Sequence, residues 1–232
     1  MRLNTGIVVV AALLSGIAQA DSQLLAAHQQ FADTLAELRG GTDTFSPRMQ
    51  RLIGWSSAGE MRERTPAEHL QRLVDAHWDW SQRTQPETAT FTGFAGQNGR
   101  WSDLSADNRQ RTDNLERMFL QALRGLDRDA LSRAQQLNYD LLRYRAELAV
   151  QGQAFPRALM PVNQMSGLQV WIASVLNAQP LTTADDRRDF LSRLQRLPTL
   201  LAQTKLLLQE GLEKGITPPR VTLAKVPQQF LD

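Results

Sequence analysis

The sequence predicts an all-α protein, a multi-helix antiparallel array of about seven helices. Three observations carry this reading. Apolar residues recur at steps of three and four in one segment after another, helix-start and helix-stop signals bracket those segments, and no convincing period-two strand appears anywhere in the 232 residues. Hydrophobic residues make up 42% and charged residues 22% of the chain. That is ordinary globular usage, which excludes a disordered chain and a polytopic membrane protein.

The N-terminus reads as a signal peptide over residues 1–20. Arg2 supplies a positive start, Gly6 to Ile17 an apolar run, and Ala18-Gln19-Ala20 a small-x-small cleavage site. The run is short for a bilayer span, so an uncleaved anchor is the weaker reading. The expectation is a periplasmic or secreted protein starting at Asp21, free of the membrane after cleavage. It has no cysteine, which excludes disulfides, thiolate metal sites and Cys nucleophiles.

Residues 21–64 divide into a helix and a linker. Leu24, His28, Phe31, Leu35 and Leu38 line one face of a helix from about Ser22 to Arg39, ended by Gly40-Gly41. Residues 41–64 lack a sustained period and form a linker with one short turn around Met49 to Ile53. The helical domain then covers 65–232. Thr65-Pro66-Ala67-Glu68 is a capping box opening a helix with stripe Leu70, Leu73, Val74, His77 and Trp78, which stops near Arg83, before Pro86. Residues 86–102, with Gly93, Gly96 and Gly99, read as an irregular loop and match neither a dinucleotide fingerprint nor a P-loop.

Ser105 caps the next helix, which carries Leu115, Met118, Phe119, Ala122, Leu123 and Leu126. After a break at Asp127 to Asp129 another carries Leu131, Ala134, Leu137, Leu141, Tyr144 and Leu148 and ends near Gly152, so the two pack antiparallel. Phe155 to Pro161 is extended or turned. The chain is helical again from about Asn163, with Leu168, Trp171, Ile172, Val175 and Leu176 on one side, until Pro180. Thr183 with Asp186 caps the next helix, which carries Phe190, Leu191, Leu194 and Leu197, and Pro198 breaks it sharply. A further helix with Leu200, Leu201, Leu207 and Leu208 runs to Lys214 and Gly215. Pro218-Pro219 opens a last one, whose Val221, Ala224, Val226, Phe230 and Leu231 form an apolar face. This face fits a truncated chain whose packing partner lies further on, or a natural tail helix folding back. The sequence favours neither.

Chemistry-bearing residues are few. Twenty-six Lys and Arg against 24 Asp and Glu leave a net charge of +2 and no concentrated basic field, so no nucleic-acid partner is expected. Zinc needs converging ligands, typically two His one helical turn apart with a carboxylate. His-Glu-x-x-His is absent, and His69 and His77 are eight residues apart, too far along a helix to share one ion. His77 beside Trp78 reads as a core or edge residue. No Gly-x-Ser-x-Gly elbow occurs. Asp127, Asp129, Asp185 and Asp186 sit where helix N-termini favour negative charge. Trp55, Trp78, Trp80, Trp101 and Trp171 read as core before they read as a cleft. No complete catalytic site and no metal site emerge, and no cofactor is expected in this chain.

Several motifs taken in order resemble a known family. They are Trp78, Pro86, Ala89-Thr90, Gly93 and Trp101-Ser102-Asp103-Leu104-Ser105; Met160 through Gly167 (MPVNQMSG); Leu181-Thr182 to Asp189-Phe190-Leu191 and Arg193-Leu194; Leu197-Pro198; and Glu210-Gly211 through Lys214-Gly215 to Pro218-Pro219-Arg220. Each is weak alone, but the ordered set resembles the N-terminal portion of the bacterial domain-of-unknown-function family 885. The resemblance covers about residues 70 to 230. It implies a large, almost wholly helical, often exported zinc-metallopeptidase-like protein whose His-Glu-x-x-His helix lies in a C-terminal half. This chain then corresponds to one wall or lid of a peptide-binding cleft, its partners being the missing C-terminal half and peptides, with zinc implied only for the full-length protein. No catalytic or metal residue carries over. Asn163 and Gln164 are the nearest candidates for substrate contact, since amides at a helix entry can bond a peptide backbone; capping by Asn163 is the simpler role. A complete small helical periplasmic binding or interaction protein without enzymatic activity is the alternative function.

Overall fold

The computed structural model describes residues 22, 25–35 and 65–229. The expected signal peptide, the linker 41–64 with Trp55, and Phe230 and Leu231 lie outside the described residues. The described chain is helical throughout, without a strand. Helix α1 covers 25–35. It is followed by α2 (Pro66–Thr84), α3 (Pro86–Thr92), α4 (Ala106–Arg124) and α5 (Arg133–Gly152). After a 3-10 turn at Arg157–Leu159 come α6 (Leu168–Ala178), α7 (Ala184–Glu213), α8 (Arg220–Leu223) and α9 (Val226–Gln229).

The helices form two compact units. One comprises the described residues up to Trp80 together with Arg111–Gly152; the other comprises Ser81–Gln110 and the described residues from Gln153 onward. In the first, Phe31 and Leu35 of α1 pack with Leu70, Leu73 and Trp80 of α2, Leu115, Phe119 and Leu123 of α4, and Tyr139 and Ala146 of α5. Phe31 stacks on Trp80 with ring centroids 4.7 Å apart, and His77 stacks on Phe119 at 4.3 Å. Ion pairs join α5 to the end of α4 and the connection after it: Arg124 meets Glu147 at 3.1 Å, and Arg128 beyond the helix end holds both oxygens of Asp140.

In the second unit Trp101, Val175 and Leu200 form a smaller apolar cluster, with Leu104, Leu168, Ile172, Leu176 and Leu197 against it. The long α7 supplies its spine. Arg193, Leu200, Thr204, Leu207 and Gly211 are buried on it at heptad-like steps. At Gly211 a Cβ would stand 2.7 Å from the Ile216 carbonyl and 2.9 Å from that of Leu159, so only glycine lets the chain approach there.

The three start signals hold. Thr65 and Glu68 form their reciprocal bonds, Asn108 N–H donates to Ser105 Oγ, and Thr183 and Asp186 form a complete capping box. Four expectations do not. Pro198 does not end a helix: α7 runs through it for 30 residues. Pro198 and Leu194, whose carbonyl loses its bond, are both exposed residues, so water can replace the donor. Residues 86–92 are α3, not loop, because Pro86 occupies the first turn where no N–H is required and Gly93 closes the helix at φ 75°. Helix α6 starts at Leu168 rather than at Asn163. Finally, Leu137, Leu141, Tyr144 and Leu148 stand exposed on α5, at 61, 55, 61 and 49%, while Tyr139 and Ala146 turn inward. The periodicity located a helix face but not the one this unit buries.

Candidate functional site

The candidate pair Asn163-Gln164 lies in the turn between the 3-10 segment and α6. Asn163 Oδ1 accepts from the backbone N–H groups of Met165 and Ser166, both at 2.9 Å, which folds the turn on itself. The Gly167 N–H donates back to the Asn163 carbonyl, and a Cβ at Gly167 would lie 2.5 Å from both the nitrogen and the oxygen of Asn163. The backbone of Gln164 is used on both sides: its N–H donates to the Thr222 carbonyl at 3.0 Å and its carbonyl accepts from Gln229 Nε2 at 3.0 Å. Gln169 Nε2 donates to the Asn163 carbonyl and to Gln229 Oε1, and the buried Gln169 Oε1 lacks a donor. The structure therefore brings Asn163 and Gln164 together with Gln169, Thr222 and Gln229 into one amide clasp joining the turn to α8 and α9. The clasp offers amide donors and acceptors, with no nucleophile or acid-base pair among them.

A second polar centre was not singled out as a site by sequence reasoning. Arg193 is completely buried. Its Nε donates to the Arg100 carbonyl, Nη1 to Gln179 Oε1, and Nη2 to the carbonyls of Pro86 and Gln97, while the guanidinium lies 5.2 Å from the Trp101 ring centroid. Burial pushes its pKa down to about 10, with Glu87 and Asp189 pulling the other way, so it stays charged at neutral pH. Glu87 is also buried, and accepts from the Ser102 N–H and hydroxyl. Burial raises the Asp189 carboxyl above its ordinary value, with Arg193 opposing. Four acceptors from three segments, α3, the stretch after it and the end of α6, converge on one planar fork, a geometry that a guanidinium satisfies and an ammonium does not. With no accessible face, Arg193 organises the unit rather than meeting a ligand. Sequence alone offers one signal for it, a charged residue on the apolar spacing of α7.

The histidines are dispersed. His28 Nδ1 accepts from the Trp80 indole N–H at 3.1 Å, His77 Nε2 lies 3.6 Å from Glu116 Oε1, and His69 sits half-buried near the start of α2. Among the described residues no three His, Asp or Glu side chains converge in a way that could hold a metal ion. Trp171 lies tilted against Phe91, Trp101 donates its indole N–H to the Arg193 carbonyl, and Trp78 and Trp171 are exposed rather than core. In the first unit a groove of about 360 Å³ between α2 and α5 is lined by residues including Leu70, Val74, Asn138, Leu141 and Arg145. No described helix is long and apolar enough to cross a membrane.

A family described as "Bacterial protein of unknown function (DUF885)" matches residues 86–232. No curated protein and no solved structure matches the chain.

Proposed function

Since the chain belongs to the DUF885 family of bacterial proteins, we propose that it is the N-terminal helical portion of an exported metallopeptidase-like protein, forming one wall of a peptide-binding cleft without carrying the zinc motif. The observation that carries the reading is the outer face of α7. Leu191, Leu194, Leu201 and Leu212 stand exposed along it, in phase with the exposed Pro198. An apolar stripe of that length is what a helix built to pack against further polypeptide presents. On this reading the Gln164 side-chain amide is the group of the candidate pair that meets a peptide, since the Asn163 amide and the Gln164 backbone are engaged within the turn and by Thr222 and Gln229.

The described residues bring no zinc ligands together. His28 and His77 face Trp80 and Glu116 within the first unit's aromatic cluster, and no ligand trio forms among the described residues. No reaction step is derived through zinc, which on this reading is held by polypeptide beyond Asp232. Export follows from the expected signal peptide over residues 1–20.

Two measurements test the proposal. The reading frame after the codon for Asp232 is expected to continue into a helical segment containing His-Glu-x-x-His. Chain purified from Asp21 to Asp232 is expected to contain no stoichiometric zinc by elemental analysis and to leave peptide mixtures uncut. Hydrolysis that a chelator abolishes, or a stop codon directly after Asp232 in an intact gene, overturns it.

A further inference from the structure

Helix α5 carries apolar residues on two opposite faces. Tyr139 and Ala146 are buried in the first unit's cluster, with Leu142 and Val150 partly buried beside them. On the other face Leu137, Leu141, Tyr144 and Leu148 stand exposed at steps of four, three and four. Ala134 and Gln151, both exposed, extend the same row at its ends. That spacing is the seam of a two-helix coil, about 16 Å long over its four central residues. The opposite face of α5 already supplies the unit's own core, so the seam is apolar surface left for a second packing partner.

The charges beside the seam select that partner. Asp140 directly precedes Leu141, and Arg145 directly follows Tyr144. These are the flanking positions through which paired helices choose partner and direction. Beside an identical helix running the same way, Asp140 of each copy stands against Arg145 of the other, and symmetry makes the pair twice. Beside one running the opposite way, Asp140 meets Glu147, and two carboxylates repel. Asp140 already accepts from Nε and Nη2 of Arg128, but its lone pairs leave room for a second guanidinium. Arg145 has no ion-pair partner among the described residues. We propose that α5 is a dimerisation helix: two copies of this chain pair through Leu137, Leu141, Tyr144 and Leu148, with the helices parallel and an Asp140–Arg145 pair on each side. A seam this short lies at the small end of stable interfaces, which sets the dimer at micromolar strength.

Sedimentation equilibrium of the whole chain tests the pairing. Average mass is expected to rise from monomer towards dimer between about 1 and 100 μM. Arg145→Glu and Asp140→Lys each set like charges across the seam, and each alone is expected to weaken the dimer about tenfold or more. An equimolar mixture of the two restores opposite charges on both sides, and a one-to-one heterodimer is expected. The chain has no cysteine, so Leu141→Cys reports direction. Parallel helices bring position 141 against itself and give a disulfide dimer on mild oxidation, whereas Ala149→Cys, exposed but off the seam, is expected to give none. A chain that stays monomeric leaves the seam to other polypeptide and overturns the proposal. So does a dimer indifferent to both charge changes, a mixture that forms no heterodimer, or Leu141→Cys crosslinking no better than Ala149→Cys.

Discussion

The two units are held together by different physics. The first buries an aromatic and aliphatic cluster in which Phe31, Trp80, Phe119, Leu73 and Leu123 are nearly inaccessible. The second buries few large apolar groups but many polar ones, among them Arg193, Glu87, Gln97, Gln169, Gln179 and Thr204. Burial of apolar area has no direction, so a core of the first kind tolerates changes of shape at roughly constant volume. Hydrogen bonds have direction, and an unmade one in the interior carries its full desolvation cost. The difference teaches that the first unit is specified by volume and the second by geometry, and equal substitutions in the two should give unequal results.

The largest effect is expected at Arg193. Arg193→Met keeps much of the side-chain volume but strands the Arg100 carbonyl and Gln179 Oε1, and takes one of two donors from the carbonyls of Pro86 and Gln97, which keep the Thr90 hydroxyl and the Arg100 N–H. Two stranded acceptors at about 1 kcal/mol or more each, with two more weakened, give a loss of roughly 3 kcal/mol. Arg193→Lys should recover only part of it, since one ammonium cannot span four acceptors set around a plane. Denaturant unfolding gives the magnitude. Hydrogen exchange shows where it falls, and residues 86–101 and 184–213 should lose protection first. A loss below 1 kcal/mol would show that the polar centre is no keystone.

Phe119→Leu makes the matching change in the first unit. It removes the stack on His77 and the contact with Phe31, yet leaves a hydrophobic side chain of similar reach in the same place. The expected cost is about 1 to 2 kcal/mol, one aromatic pairing together with modest repacking. If thermal or denaturant unfolding gave a loss equal to that of Arg193→Met, the two cores would not differ in how they are specified.

How much of this was legible in the sequence follows from the same contrast. Periodicity and caps report local preference, and they placed α2, α4 and α5 closely and the starts of α2, α4 and α7 at Thr65, Ser105 and Thr183. Where tertiary context decides, the local signal failed. Pro198 is a breaker by every local rule, but α7 has buried anchors on both sides of it, Arg193 before and Leu200 after, and a solvent-facing ring. The stripe Leu137, Leu141, Tyr144 and Leu148 was visible as a stripe, but whether it is covered depends on partners that no local rule encodes. At the candidate site, the residue pair Asn163-Gln164 was legible from its amides after a proline. Its engagement by Thr222 and Gln229, almost 60 residues or more away in sequence, was not.

The smallest expected effect lies at a device common to both units, the capping box, which occurs at Thr65-Glu68 in the first and at Thr183-Asp186 in the second. The backbone N–H of Thr183, with the hydroxyl groups of Thr182 and Thr183, holds the Asp186 carboxyl below its ordinary value. A depressed carboxylate contributes stability that is complete above the unfolded value near 4 and is lost as pH falls through the folded one. Thr183→Ala should cost about 1 kcal/mol at pH 7, as N-cap removal generally does. The gap between variant and parent should narrow below pH 4, because protonated Asp186 no longer favours the capped start. Urea unfolding at pH 7 and pH 3 measures both. A gap that stays constant across that range would assign the stabilisation to the threonine hydroxyl alone and leave the carboxylate without a share in it.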